Sequence, residues 1–248
     1  MFTDAIHIGD KVDINVIPKG NTVNKTPSVQ KVYKSKVIDK RQNGILEMLM
    51  PMEKEKMVLL PLGGEFEFVF YVDNNLYKSF GHVSERYKKN NLYVIYVRLD
   101  TPLVKYQRRE FYRYPCLIDI RYLTVKTENI MKIDAEKLFH EASENNPDTV
   151  NSATIVDLSG GGARIVGDEK LEVYNNYMLL ELTLKFEDSS KTFIIIGNIL
   201  SSIRIPDQQS KFDHRIMFYL QENAVREDII RYIFNEERKN RNQKGQNE

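Results

Sequence analysis

The sequence has one cysteine, Cys116, in 248 residues. A single cysteine excludes an intrachain disulfide and argues against a zinc site built on thiolates. It suits a reducing compartment, and the cytoplasm is the expectation. An excess of charge is also missing. The 36 Lys and Arg residues stand against 35 Asp and Glu, for a formal net charge of +1. So balanced a chain has no global field for coating a polyanion or an extended nucleic acid, and any attraction to phosphate has to be local. Long apolar runs are absent. The longest stretches, such as Phe193-Ile194-Ile195-Ile196, have strand length, well below the roughly 18 residues needed to span a bilayer. The segment Met1-Phe2-Thr3-Asp4 lacks a basic region followed by an apolar one, so neither export nor membrane insertion is expected. His7, His82, His140 and His214 are scattered without ligand-type spacing, which leaves a metal site unsupported.

What is present is mostly β-type patterning. Lys11 to Ile17 alternates polar and apolar residues. Asn43-Gly44, between Lys36-Val37-Ile38 and Ile45-Leu46-Glu47-Met48, is a hairpin signal because both residues tolerate positive φ. Asp73-Asn74-Asn75 separates the strand-like Glu67–Val72 from Leu76–Phe80, and Asn90-Asn91 precedes another strand, Leu92–Leu99. Thr101-Pro102 ends this block, since proline holds its predecessor extended. A second block opens with Leu117–Tyr122. Residues 123–151 then form a polar insertion with a short surface helix over Asp134–Ala142. Strands resume at Ala153–Val156, Ala163–Val166, Tyr177–Phe186, Thr192–Ile203 and Arg215–Leu220. From Asn223, an N-cap residue, apolar positions at Val225, Ile229, Ile230, Ile233 and Phe234 have helical spacing, which suits packing across a barrel end. The expectation from patterning is a mainly β chain, with a small barrel or sandwich before the Thr101-Pro102 boundary, a second β-rich block with a C-terminal helix after it, and a flexible polar tail over 237–248.

Two short motifs carry the chemistry. The first is Gln107-Arg108-Arg109-Glu110-Phe111-Tyr112-Arg113, at the junction of the two blocks. A guanidinium is a planar fork of donors that matches phosphate oxygens and the O6/N7 edge of guanine, and it stacks on aromatic faces. The second is Asp157-Leu158-Ser159-Gly160-Gly161-Gly162. Its glycines let the backbone turn sharply and approach a ligand, Asp157 can accept from guanine N–H groups, and Ser159 can bond a phosphate or a base. Alone, the first motif fits a solvated charge cluster equally well, and the second fits an Asp-initiated β-turn.

Both motifs in this order resemble the RRxxxR and DxSxxG signature of PilZ domains, which bind cyclic di-GMP. Residues 105–236 follow the PilZ layout, and residues 1–104 resemble the N-terminal β-domain of YcgR-like, flagellar-brake type proteins, which implies two small β-barrels: a split-barrel-like domain over 1–104 and a six-stranded barrel over 105–236. The resemblance implies that Arg108, Arg109 and Arg113 hold the phosphates and guanines. Asp157, Ser159 and Gly162 complete the site, with Gly160 and Gly161 shaping it. It further implies that the arginine loop lies at the interdomain junction and fixes domain orientation when ligand binds. Family members take one ligand or a stacked pair, and Arg108 occupies the place of the extra arginine in the pair-binding form. Two departures stand out: the long 123–151 insertion, and the lack of a glycine before Arg215-Ile216-Met217-Phe218.

The functional expectation is a receptor for cyclic di-GMP that needs no cofactor, is not an enzyme, and acts on a protein partner. By resemblance that partner is a stator or rotor component of the flagellar motor, with recruitment to the basal body. Free cations that repel one another should leave the arginine loop mobile before ligand binds. The alternatives are a β-barrel that binds single-stranded RNA through arginines and aromatics, and a hydrolase using Asp157 and Ser159. No histidine sits in a motif that would activate that serine, and no Gly-Lys-Ser/Thr follows the glycines as in a P-loop. Cys116 reads as a small buried residue rather than a reactive thiol.

Overall fold

A computed structural model describes residues 3–17, 31–41, 44–53, 55–89, 91–206, 210–220 and 222–244. Asn43, Asn90 and residues 245–248 of the expected tail lie outside the described residues. The chain forms two compact units, Met1–Arg108 and Arg109–Glu248.

The first unit comprises β1 (Lys11–Val16), β2 (Val32–Lys40), β3 (Ile45–Leu49), β4 (Met52–Glu53), β5 (Lys56–Met57), β6 (Glu65–Val72), β7 (Asn75–Lys89), β8 (Leu92–Leu99) and β9 (Val104–Lys105). Strands β6-β1-β2-β3-β8-β7 run in that order, and β6 also pairs with β7, which closes a six-stranded barrel. Closure removes the exposed edges that an open sheet of this size would present. Period-two alternation explains the core: Phe66, Phe68, Phe70 and Val72 of β6 point inward with Val12 and Ile14 of β1 and Ile95 and Val97 of β8. Asp73 and Asn74 both have positive φ, 44° and 64°, the backbone that a two-residue hairpin turn demands. Val104 and Lys105 pair with Lys78 and Tyr77 of β7, and the Tyr106 amide donates to the Leu76 carbonyl at 2.7 Å. These bonds tie the residues after Pro102 to the first unit, which therefore runs to Arg108 and takes in the start of the arginine motif.

The second unit comprises β10 (Tyr114–Lys126), α1 (Ala135–Asn145), β11 (Asn151–Ser159), β12 (Gly162–Gly167), β13 (Asn176–Lys185), β14 (Ser190–Arg204), β15 (Phe212–Tyr219) and α2 (Asn223–Lys244). Its strands form a closed barrel in the order β10-β11-β12-β15-β14-β13. The interior is filled by Ile120, Tyr122, Ile155, Ile165, Leu180, Leu182, Ile195, Ile216 and Phe218, and Ile229 and Ile233 of α2 join the same cluster. The helix continues to Lys244, through most of the stretch expected as a tail.

The 123–151 segment departs from expectation in two ways. Strand β10 extends to Lys126, because Leu123–Lys126 keep pairing with β13. Helix α1 is also more than a surface helix. Asp134 caps it by accepting from the Lys137 amide at 3.1 Å. Its Phe139 is fully buried against Leu179 and Ile196. These two alternate with the interior residues Leu180 and Ile195, so α1 covers part of the barrel's outer face.

His214 of β15 points into the second barrel and is 1% exposed. Neither ring nitrogen has a hydrogen-bond partner among the described residues. Burial pushes its pKa down, against a smaller upward pull from the Asp213 carboxylate. The folded state thus holds the ring neutral where an unfolded chain would take a proton near pH 6.5. Stability attributable to this group is present above about pH 6.5 and is lost as pH falls toward the depressed folded value, with a limiting slope of about 1.4 kcal/mol per pH unit. Urea unfolding of the wild type and His214→Leu from pH 8 to pH 5 checks this. The variant is expected to gain on the wild type as pH falls, and a difference independent of pH would contradict the assignment.

Candidate functional site

The glycine motif is a strand-end hairpin. Asp157 and Ser159 are the last residues of β11, and Gly162 opens β12 opposite Ser159. Each glycine has a steric reason for lacking a Cβ. At Gly162 a Cβ would lie 2.2 Å from the Ile216 carbonyl oxygen, because β12 and β15 approach here at full backbone contact. At Gly160 it would lie 2.9 Å from Phe111 Cδ1 and 3.0 Å from Ile230 Cγ1; at Gly161, 2.9 Å from Phe111 Cδ2. Ser159 is buried, and its hydroxyl donates to the Gly162 carbonyl at 2.9 Å, closing the turn.

The arginine loop approaches this hairpin within the second unit. Phe111 rests on Gly160 and Gly161, and the Arg226 guanidinium of α2 lies 5.3 Å from its ring centroid. The loop then enters β10 at Tyr114, whose hydroxyl accepts from Asn240 Nδ2 of α2 at 2.7 Å. Helix α2 therefore braces the loop and the turn at Arg226, Ile230 and Asn240, a role beyond closing the barrel. The spacing of Arg226, Ile230 and Phe234 on one helical face was the available signal.

The three arginines have different environments. Arg109 and Arg113 are exposed, and neither side chain makes a hydrogen bond or ion pair among the described residues. The Asp157 side chain likewise makes none. Its neighbour Cys116 is held as a thiol: burial pushes its pKa up to about 11, and the Asp157 carboxylate adds in the same direction.

Arg108 belongs to the first unit and has partners there. Its Nη1 donates to the Tyr71 hydroxyl at 3.0 Å and lies 3.4 Å from Asp13 Oδ2. Tyr71 in turn donates to Asp13 Oδ2 at 2.5 Å. Burial is the main cause that raises the Tyr71 pKa, and its bond to Asp13 adds to it. The expectation of three partnerless cations is thus corrected at Arg108. Asp13 and Tyr71 lie on the outward faces of β1 and β6, diagonal neighbours across a strand pair that the sequence did not reveal.

A polar groove of about 480 Å³ on the second barrel contains none of the motif residues. Four of its charges are paired, Arg121 with Glu181 at 2.8 Å and Lys211 with Asp168 at 2.7 Å, and the Asp119 carboxylate accepts from the Thr154 hydroxyl at 2.9 Å. Among the described residues no cluster of three or more His, Cys, Asp or Glu side chains is arranged to hold a metal ion, and no helix is long and apolar enough to cross a membrane.

Comparison with known proteins agrees with this architecture. Residues 7–99 match the PilZNR family model, described as flagellar protein YcgR. No curated protein sequence matches. The inhibitor of motility MotI/DgrA of Bacillus subtilis has a similar structure, with a TM-score of 0.67 at 16% identity, covering 94% of this chain and 98% of that one. YcgR of Escherichia coli in complex with c-di-GMP aligns over 100% of this chain and 92% of that one, at 13% identity and a TM-score of 0.45, too low to carry an argument. The first unit is thus similar to the YcgR-type N-terminal domain over residues 7–99, and the fold is similar to that of MotI/DgrA. The resemblance to PilZ proteins with such a domain, whose N-terminal part was read from strand pattern, length and the junction, is borne out by these matches.

The Gly162 contact yields a direct test. Gly162→Ala sets a methyl against main chain that cannot rotate away, so β12 and β15 must separate. The expected cost is about 1–3 kcal/mol, read as a lower denaturation midpoint for the second unit. An unchanged midpoint would show that the β12–β15 approach is looser than described.

Proposed function

We propose that this chain is a receptor for cyclic di-GMP that binds the dinucleotide without degrading it and regulates a protein partner in motility. The observation that carries this reading is the state of Arg109 and Arg113. Many guanidiniums in this chain are neutralised, as Arg121 is by Glu181, Arg164 by Asp213, Arg231 by Asp228 and Arg241 by Glu237. Arg109 and Arg113 are exposed and unpaired among the described residues, on the loop that Phe111 joins to the Asp157–Gly162 hairpin. Two unpaired forks and a free carboxylate suit a ligand with two phosphates and two guanines. The arginines match phosphate oxygens or guanine O6/N7, and Asp157 accepts from guanine N1–H and N2–H. Ser159 and the glycines serve by holding the hairpin in shape.

In this reading the ligand acts as a switch. The chain passes from the first unit to the second between Arg108 and Arg109. A ligand that orders this junction changes the freedom of one unit relative to the other, by as much as its differential affinity for the two states allows. Arg108 takes part only if it leaves Asp13 and Tyr71, so its contribution is offset by the bonds it gives up. The partner is a component of the flagellar motor or of a related motile output.

Arg109→Ala and Arg113→Ala are each expected to weaken cyclic di-GMP binding by about 30-fold or more, because truncating one side of a charged, desolvated pair costs about 2–5 kcal/mol. Fluorescence titration checks this, with circular dichroism confirming the fold. Wild-type affinity in either folded variant would refute the site.

The extra fork of Arg108 supports a second, stacked ligand. Arg108→Ala is therefore expected to lower the calorimetric ratio from two ligands per chain to one, while ligand changes the small-angle scattering profile of the wild type. A wild-type ratio of one would remove the stacked pair but leave the receptor. An unchanged profile would remove the switch.

A further inference from the structure

We propose that Phe111 is a positioning residue, the anchor that seats the arginine loop on the glycine hairpin and so presents Arg109 and Arg113 to ligand. Its neighbour Tyr112 shows what an aromatic in this loop does without a seat: it is 60% exposed. Phe111 is half-buried. It occupies the space that side chains would fill at two consecutive glycines, as the 2.9 Å approaches to its Cδ1 and Cδ2 record. Arg226 lies 5.3 Å from the ring centroid, and the buried Arg226 Nε has no hydrogen-bond partner among the described residues. The guanidinium lies over the ring face in a cation–π arrangement. Ile230 completes the seat next to Gly160.

The consequence for ligand is geometric. Arg109 and Arg113 stand two residues to either side of Phe111, so full extension puts each Cα at most about 7 Å from the anchor. Pinning one ring thereby confines both free forks to the neighbourhood of Asp157. Without the anchor the same arginines sample many positions, and binding has to supply the ordering entropy. This also gives Gly160 and Gly161 a role separate from direct ligand approach: they are the floor on which the ring lies.

The test uses the full-length chain and needs no ligand for its first arm. Trypsin cuts after Arg109 and Arg113, so its initial rate there reports loop release. Phe111→Ala is expected to raise that rate about tenfold while the global unfolding midpoint shifts little, and Phe111→Leu, which refills the seat, to restore it largely. Gly161→Ala pushes the ring off from the other side and should release the loop equally. The double variant Gly161→Ala/Phe111→Ala should release it no further than either single change, because both remove one contact. The second arm rests on the receptor reading: cyclic di-GMP affinity should fall about tenfold in Phe111→Ala and recover in Phe111→Leu. Wild-type cleavage rates in folded Phe111→Ala, or additive effects in the double variant, would overturn the anchor. Loop release in the variants, with a wild type that ignores cyclic di-GMP, would uphold the anchor and reject the receptor.

Discussion

The close approach at the β11–β12 hairpin is the constraint on which the second unit's candidate site depends. Three successive residues must do without a Cβ, for two different reasons. Gly162 makes room for the main chain of β15, and Gly160 and Gly161 make room for Phe111 and Ile230. The first requirement belongs to the barrel and the second to the loop. Ser159 ties them together by closing the turn on the Gly162 carbonyl. Because the hairpin, the loop and α2 meet at this point, a change in any of them shifts the others.

Charge is organised around that contact. A chain with a net charge of +1 attracts an anion only where cations are left without partners. Arg108 shows the alternative fate, since it shares Asp13 and Tyr71 within the first unit. Arg109 follows it directly in the sequence, Arg113 comes five residues after it, and neither has such a partner among the described residues. The boundary between units thus divides the motif into a satisfied guanidinium and two open ones. Local electrostatic demand of this kind is what a phosphate-bearing ligand meets.

Much of this was legible in the sequence. Period-two alternation located the strands of both barrels, and the Asp73-Asn74 turn and the helical spacing of α2 were readable from local chemistry, although Asn223, expected as the N-cap, is the first residue of the helix itself. The two motifs stood out because arginine clusters and glycine runs have few cheap uses together. What escaped was set by long-range pairing. The pairing of β1 with β6 places Asp13 beside Tyr71, and nothing local in Lys11–Val16 announces a partner so far along the chain. The Val104–Lys105 strand is too short to show alternation, so its pairing with β7 was not legible. Phe111 was hidden by its motif, where it counted as spacer between arginines. Helix α1 was read as a short surface helix because its one deeply buried residue, Phe139, sits in a polar stretch. The tail was read from composition, which does not register that Asn240 bonds Tyr114.

The central claim is that the open arginines and the glycine hairpin form a site selective for a cyclic diguanylate. Calorimetric titration of the wild-type chain with cyclic di-GMP, beside an identical titration with GTP and chromatography of the recovered nucleotide, tests it most directly. The account predicts saturable heat with cyclic di-GMP alone and a dinucleotide recovered intact. Heat no greater than that of GTP, or a hydrolysed product, would contradict it.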